Sequence, residues 1–221
     1  MSQNKTNFAV PLAFVGMMFF AIGFALGINS FLIPVLKGAL SLPSGVAYLL
    51  LAATFVPFLI FGYPASATIA KIGYKRTMAL SFLIFAVAFI LLSAKLENFI
   101  LFLIASFVSG AANAYLQASV NPYITILGPI ESAAKRMSIM GICNKLAWPV
   151  APLFFALVVA DQTNVQTSDL YLPFYIIIGV FLLLGIISLM APLPEVKAAG
   201  EDESDTANCP YAANKTSIWQ F

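Results

Sequence analysis

Long apolar stretches without charged residues constrain the fold of this chain more than any other feature. A helix needs about 20 apolar residues to cross roughly 30 Å of hydrocarbon, and such stretches recur along most of the sequence. Only 9% of the residues are charged and 61% are apolar, whereas about a quarter of the residues of a soluble domain are charged. The sequence therefore predicts an all-α, multi-pass membrane protein surrounded by the lipid bilayer.

The apolar stretches divide into six predicted spans, which form one transmembrane domain over residues 1–194. The spans lie at roughly 8–34, 45–66, 77–94, 99–127, 138–160 and 171–191. Residues 195–221 are polar and rich in acidic side chains, which predicts a cytoplasmic connector leading to a missing seventh span. Spans 1–3 and 4–6 would enter the membrane in opposite senses, which makes them a 3+3 inverted repeat.

The distribution of basic residues predicts the orientation, because cytoplasmic loops carry an excess of lysine and arginine. Only Lys37 and Lys95 would lie outside if the N-terminus is inside. The cations of the inner segments would then be Lys5, Lys71, Lys75, Arg76, Lys135, Arg136, Lys197 and Lys215. Both termini are therefore predicted to be cytoplasmic.

The residue inventory argues against several classes of function. The chain has no histidine and only two cysteines, Cys143 and Cys209, so no metal site or disulfide framework is predicted. All nine acidic residues lie outside the apolar spans, which disfavours an enzyme working inside the membrane. Basic clusters interleaved with aromatic residues are missing, so no nucleic-acid partner is expected. We expect neither an enzyme nor a cofactor.

Gly23 and Gly27 form a GxxxG pair in the first predicted span. Such a pair allows a neighbouring helix to approach closely. Two tolerated glycines without a packing role are an equally good interpretation of the sequence alone.

A stripe of amide side chains in the fourth predicted span is the strongest functional signal. Asn113, Gln117 and Asn121 are spaced four residues apart, so they share one helix face. Asn144 and Lys145 follow in the next span, at a similar depth when a rise of about 1.5 Å per residue is used. Amides offer donors and acceptors, which suits neutral hydroxyl groups. The stripe therefore predicts a solute pathway, with hydrogen bonding between helices as the alternative.

Lys145 is the only formal charge inside a predicted span. Its ammonium group would either reach the cytoplasmic interface or donate to the carbonyls of Gln117 or Asn121. Trp148, one turn from Asn144, would either present a flat face to a sugar ring or pack as an ordinary membrane residue.

Two consecutive segments, QASVNPYITILGP (117–129) and ESAAKRMSIMGICNK (131–145), resemble one known family. They are similar to the N-terminal half of bacterial fucose/galactose/glucose–proton symporters, in their glucose/galactose branch, within the major facilitator superfamily. A fainter similarity is GINSFLIP (27–34). The resemblance implies one half of a twelve-span carrier in the bacterial inner membrane, which moves a neutral hexose by alternating access. The candidate residues for hydroxyl recognition are Asn29, Gln117, Asn121 and Asn144, with Lys145 orienting them.

The sequence also departs from the patterns of these carriers. In the loop between spans 2 and 3, SATIAKIGYK (66–75) lacks the acidic residue of the superfamily motif. The basic gate remains, and its candidate residues are Lys71, Gly73, Lys75 and Arg76. Fucose symporters carry acidic residues where this chain has Ser30 and Gln117, and a glutamine where it has Gly141. Coupling to a proton, coupling to sodium and facilitated passage therefore all remain open.

The resulting prediction is the N-terminal half of a carrier for glucose, galactose or fucose. It would work with a missing C-terminal half of six further spans. The alternative is a truncated or partner membrane subunit without transport activity of its own.

Overall fold

The computed structural model describes residues 9–39, 41, 43–94, 98–127, 130–158 and 170–191. Every regular element in these ranges is helical, which agrees with the predicted all-α class. The helices are α1 (Ala9–Ala39), α2 (Ser44–Ala47), α3 (Leu49–Ala94), α4 (Phe99–Ile126), α5 (Ala133–Val158) and α6 (Tyr171–Met190), with one 3-10 turn at Ile130–Ser132. The predicted connector at 195–221 lies outside the described residues.

Five helices in the described ranges are long and apolar enough to cross a membrane, namely α1, α3, α4, α5 and α6. The longest, α3, has 46 residues and would extend roughly 69 Å if it were straight. Gly73 interrupts it with φ 81° and ψ 168°. The second and third predicted spans thus lie on either side of Gly73 within α3, so the structure has five candidate helices where the sequence predicted six spans.

The loop predicted between spans 2 and 3 is helical on both sides of Gly73. Lys71, Lys75 and Arg76 all lie within α3. Lysine and arginine have high helix propensity, so the charged residues that mark the end of an apolar stretch do not end the helix. The change in backbone direction falls on one glycine, which adopts positive φ without a Cβ clash.

The helix bounds differ from the predicted spans for the same reason. α1 continues past Pro34 to Ala39, and α5 begins at Ala133 rather than at 138. Hydropathy marks the part of a helix that hydrocarbon can surround, while the helix itself extends into its polar flanks. The predicted and observed starts of α4 agree, at residue 99, because Asn98 caps the helix there. Its Oδ1 accepts hydrogen bonds from the amides of Ile100 (3.0 Å) and Leu101 (3.3 Å).

Helix α1 packs against α5 through small residues. A Cβ atom added to Gly23 would overlap the carbonyl oxygen of Asn144, and one added to Gly27 would lie 2.8 Å from that of Trp148. The contacts advance by four residues on each helix, so α1 and α5 run parallel. Of the two interpretations that the GxxxG pair allowed, the structure therefore shows the close approach of a neighbouring helix.

The other main interfaces join α3 to α4 and to α6. Gly110 of α4 lies against the backbone of Thr54, where a side chain could not fit. Beyond Gly73, phenylalanines of α3 stack on α6, with Phe85 and Phe181 ring centroids 4.8 Å apart. Phe89 contacts Phe174 while Phe82 contacts Phe181, so this part of α3 and α6 run antiparallel.

Candidate functional site

The amide side chains predicted for the site lie on α1, α4 and α5. Asn29 is only 5% exposed although it lies within the apolar helix α1. Its Nδ2 donates to Oγ of Ser109 on α4 at 3.3 Å. Its Oδ1 is buried and accepts no hydrogen bond from any described residue. A buried amide oxygen without a donor is unusual, and it marks a position where an added donor group would be favourable.

Helix α4 carries a second hydrogen-bonded pair, formed by two amides of the predicted stripe. Gln117 donates from Nε2 to Oδ1 of Asn113 at 3.1 Å, across one helical turn. Asn113 is buried, and Gln117 is partly exposed. Asn121 is also partly exposed, one turn further along α4. The stripe thus runs from a buried end at Asn113 to an accessible end at Asn121.

Asn144 connects α5 to α1. Its Nδ2 donates to the backbone carbonyl oxygen of Phe19 at 3.0 Å, and its own carbonyl lies directly against Gly23. This contact is hydrogen bonding between helices, the alternative that the sequence left open for the amide stripe. The side chain of Asn144 remains partly exposed.

Lys145 does not contact the amides of α4. Its side chain is exposed, and its Nζ lies 5.3 Å from the ring centroid of Trp148, one turn along α5. Donation to Gln117 or Asn121, one of the two arrangements considered from the sequence, is therefore absent from the structure. The indole of Trp148 is partly buried and packs against the apolar core.

The predicted site residues thus form separate contacts at neighbouring positions. Asn29 pairs with Ser109, Gln117 with Asn113, and Asn144 with the backbone of α1. Ser109 was not identified from the sequence, although it lies one turn before Asn113 and extends the same stripe. Serine hydroxyls in membrane helices commonly bond to the backbone of their own helix, so a serine alone does not indicate a site. The spacing of four residues between Ser109 and Asn113 is the signal that could have identified Ser109.

The predicted gate residues surround the break in α3. Gly73 has the positive φ. Lys71 and Arg76 are exposed, and Lys75 is partly exposed. The ring of Tyr74, next to Gly73, lies 5.9 Å from that of Tyr123, which follows Asn121 by two residues, so the break in α3 lies level with the last turns of α4.

An apolar groove of about 290 Å³ lies between α1, α5 and α6. Every residue that lines it is apolar, among them Phe20, Phe24 and Phe154. The groove offers no hydrogen-bonding group, so it is distinct from the candidate site. Within the described ranges, no group of three or more His, Cys, Asp or Glu residues could hold a metal ion.

Comparisons with known proteins agree with this architecture. The family model described as Major Facilitator Superfamily matches residues 14–220. A glucose/galactose transporter of Brucella abortus is 30% identical, over 100% of this chain and 53% of that protein. The L-fucose-proton symporter of Escherichia coli is 22% identical, over 96% of this chain and 53% of that protein.

A solved structure shows the same fold. The transporter FucP in its outward conformation superposes with a TM-score of 0.74 at 21% identity, over 93% of this chain and 55% of that one. The chain spans about half the length of the curated relatives that it matches, and this is their N-terminal half. These relatives are transporters rather than enzymes. Because the family model matches most of its length, the chain belongs to the Major Facilitator Superfamily, and it is a multi-pass membrane protein of that fold.

Proposed function

We propose that this chain is the N-terminal, six-span half of a carrier that moves a neutral hexose across the bacterial inner membrane by alternating access. The six spans are α1, the two parts of α3, and α4 to α6, with both termini in the cytoplasm. The names of the relatives support glucose, galactose or fucose as the substrate. A second six-span half would complete the cavity.

The observation that carries this proposal is the unpartnered carbonyl oxygen of Asn29. It lies between α1 and α4, next to Ser109 and one turn from the Asn113–Gln117 pair. A sugar hydroxyl is a donor that would satisfy it, provided that a small rearrangement admits the sugar. Gln117 and Asn121, which are accessible, would bind the hydroxyls first.

The charge distribution supports a neutral substrate. Glu131 is the only acidic residue in the described ranges, and it lies in the turn before α5. A cationic solute would therefore find no carboxylate in the described part of the amide layer. Neutral hydroxyls need only the donors and acceptors that amides supply.

The coupling ion is part of the same proposal. The Escherichia coli relative is named a proton symporter, which supports coupling to a proton. Glu131, in the turn before α5, is the only Asp, Glu or His in the described ranges. The group that carries the coupled proton would therefore lie outside the described spans or in the second half. Sodium coupling and facilitated passage are the alternatives that an uptake assay separates.

The second half would bind along α5, the least buried of the candidate spans. Its outer side presents Ile142, Leu146, Leu153 and Leu157, all of them exposed. Their spacing of four or seven residues forms one continuous apolar stripe. Lys71, Lys75 and Arg76 would form the gate at the break in α3, where a helix of the second half could supply the acidic partner.

Binding and uptake together test the proposal. The chain in detergent should show a higher thermal unfolding midpoint with glucose, galactose or fucose if the half-site binds sugar. Vesicles that contain the chain with a second half should take up labelled sugar, and a pH or sodium gradient would identify the coupling ion. Gln117→Ala should weaken the apparent affinity about tenfold, the effect of losing one or two hydrogen bonds. Ser66→Ala is the matched control, because Ser66 bonds only to the backbone of its own helix.

The outcomes separate the proposal from its alternative. Sugar-dependent stabilisation that Gln117→Ala removes supports a carrier. Uptake without any effect of Gln117→Ala or Asn29→Leu would overturn the assigned site. If sugar does not stabilise the chain in detergent, and vesicles that also contain a second half take up no sugar, the chain is better explained as a membrane subunit without transport activity.

A further inference from the structure

Lys145 is unusual among the basic residues of the described helices because it lies near the middle of one, α5. The other described cations lie at a helix end or beside Gly73. Glu131, the only acidic residue in the described ranges, is roughly 20 Å away along the chain. The Nζ of Lys145 lies instead 5.3 Å from the ring centroid of Trp148. The aromatic ring is therefore the contact that the structure gives this ammonium group.

The indole of Trp148 has an unsatisfied donor. Its Nε1 is buried, and no described residue accepts a hydrogen bond from it. Buried ring N–H groups almost always have an acceptor, so this conformation lacks one hydrogen-bond acceptor. A small turn of the indole would expose Nε1, and a ligand could then supply that acceptor.

The backbone places this indole close to the amide layer. The carbonyl oxygen of Trp148 would lie 2.8 Å from a Cβ atom at Gly27, so α5 is held tightly against α1 at this point. Asn29 follows Gly27 by two residues on α1. One turn before Lys145, a Cβ atom at Gly141 would meet nothing within 4 Å, so there is space on this side of α5.

We propose that Trp148 contacts the sugar directly, and that Lys145 covers its ring until the sugar binds. This inference rests on the proposed function. The apolar C–H face of a pyranose would replace the ammonium group over the indole, and a ring or hydroxyl oxygen would accept the hydrogen bond from Nε1. Lys145, an exposed side chain on a flexible stem, would turn to donate to the hydroxyls.

The exchange is energetically small, which makes it reversible. A cation–π contact at an exposed site changes an equilibrium constant by less than about tenfold. A neutral ligand that stacks on the ring and also accepts from Nε1 therefore replaces it readily. The same geometry selects a class of substrate, because stacking needs a closed ring. Open-chain alditols carry similar hydroxyls without that face and should bind poorly.

Tryptophan fluorescence provides a direct test, because the chain has only two tryptophans, Trp148 and Trp219. In the Trp219→Phe variant of the whole chain, all tryptophan emission comes from Trp148. We expect a saturable change in its emission and in its quenching by acrylamide on addition of galactose, glucose or fucose. Galactitol at the same concentrations should give little change.

Substitutions separate the ring from its N–H group. Trp148→Leu should weaken the apparent affinity for the sugar about tenfold, and Trp148→Phe should weaken it less. Leu183→Ala, on the exposed side of α6 and outside the stripe that would bind the second half, is the control and should leave the affinity unchanged.

The possible results distinguish this inference from the proposed function. Sugar binding or uptake with unchanged Trp148 emission, or equal binding of galactitol and galactose, would overturn the role of Trp148 and leave the carrier proposal intact. Neither binding nor uptake of any sugar would overturn both. A saturable, ring-specific response that Trp148→Leu reduces in affinity supports the inference.

Discussion

The side chain of Arg136, near the start of α5, donates from Nε to the backbone carbonyl oxygen of Ile124, in the last turn of α4, at 3.2 Å. Its Nη2 donates to the carbonyl oxygen of Thr125 at 3.1 Å, and its Nη1 donates to Oγ of Ser132. Carbonyl groups in the last turn of a helix have no partner within the helix. Arg136 supplies them with charged donors and is only 8% exposed. It thereby joins the two helices that carry Gln117 and Asn144.

Replacing Arg136 should therefore destabilise the junction of α4 and α5. Hydrogen bonds to charged groups contribute about 1.5–3 kcal/mol each and are not additive, so we expect Arg136→Ala to lower the free energy of unfolding by about 2–4 kcal/mol. Arg136→Lys should recover only part of this, since a lysine cannot reach several acceptors with a planar fork. Thermal unfolding in detergent, followed by circular dichroism, measures the effect.

Lys135 provides the control for Arg136, because it is the adjacent cation and is exposed. Lys135→Ala should leave the unfolding midpoint nearly unchanged. Equal effects of the two substitutions would mean that net charge, rather than the bonds to Ile124 and Thr125, matters at this junction.

Much of the fold follows from the sequence because a bilayer leaves few alternatives. Backbone groups in hydrocarbon must be satisfied within a helix, so apolar stretches alone predicted the all-α class and the approximate helix positions. Gly23 and Gly27 also indicated a close helix contact. The helical segment through Lys71 and Arg76 was not predicted, because hydropathy records where a membrane ends and not where a helix ends.

The contacts of the candidate site could be predicted less well. The spacing of Asn113 and Gln117 predicted that they share a face, and they are hydrogen bonded. The partners of Asn29 and Asn144 depend on which helices are adjacent, which no local pattern encodes. Lys145 contacts Trp148, three residues away, and this spacing is visible in the sequence. Whether Lys145 contacts that ring or the amides of α4 depends on the three-dimensional path of α4. The functional roles of these residues remain predictions.

A second prediction concerns the contact between α1 and α5. Gly23→Ala should destabilise the bundle, because the added Cβ atom would overlap the carbonyl oxygen of Asn144 and the backbone would have to move. We expect about 1–3 kcal/mol, the usual effect of overpacking a tight contact. The hydrogen bond from Asn144 to Phe19 should weaken with it. Gly179→Ala in α6 is the control, since a Cβ atom there meets nothing within 4 Å. A midpoint that Gly23→Ala leaves unchanged would contradict the close contact.

A third prediction concerns the aromatic contact between α3 and α6. Phe181 is 1% exposed, and its ring centroid lies 4.8 Å from that of Phe85 and 5.5 Å from that of Phe89. Phe181→Ala would leave a cavity between the helices, and such substitutions cost about 3–5 kcal/mol. Leu182→Ala, the neighbouring residue at 41% exposure, should have a much smaller effect. Unfolding midpoints of both variants in detergent provide the comparison, and similar shifts would show that α6 is not held through Phe181.

The last prediction concerns Gly73, where a substitution by alanine should have the opposite sign from the same substitution elsewhere in α3. With φ 81° and ψ 168°, Gly73 occupies a region that is essentially restricted to glycine and costs other residues about 1–3 kcal/mol. Gly62 lies in the same helix, has no positive φ, and has open space around its Cβ position. Gly62→Ala should therefore stabilise the protein by about 0.5–1 kcal/mol, while Gly73→Ala destabilises it. Unfolding midpoints measured side by side give both signs, and a higher midpoint for Gly73→Ala would mean that the helix runs unbroken through residue 73.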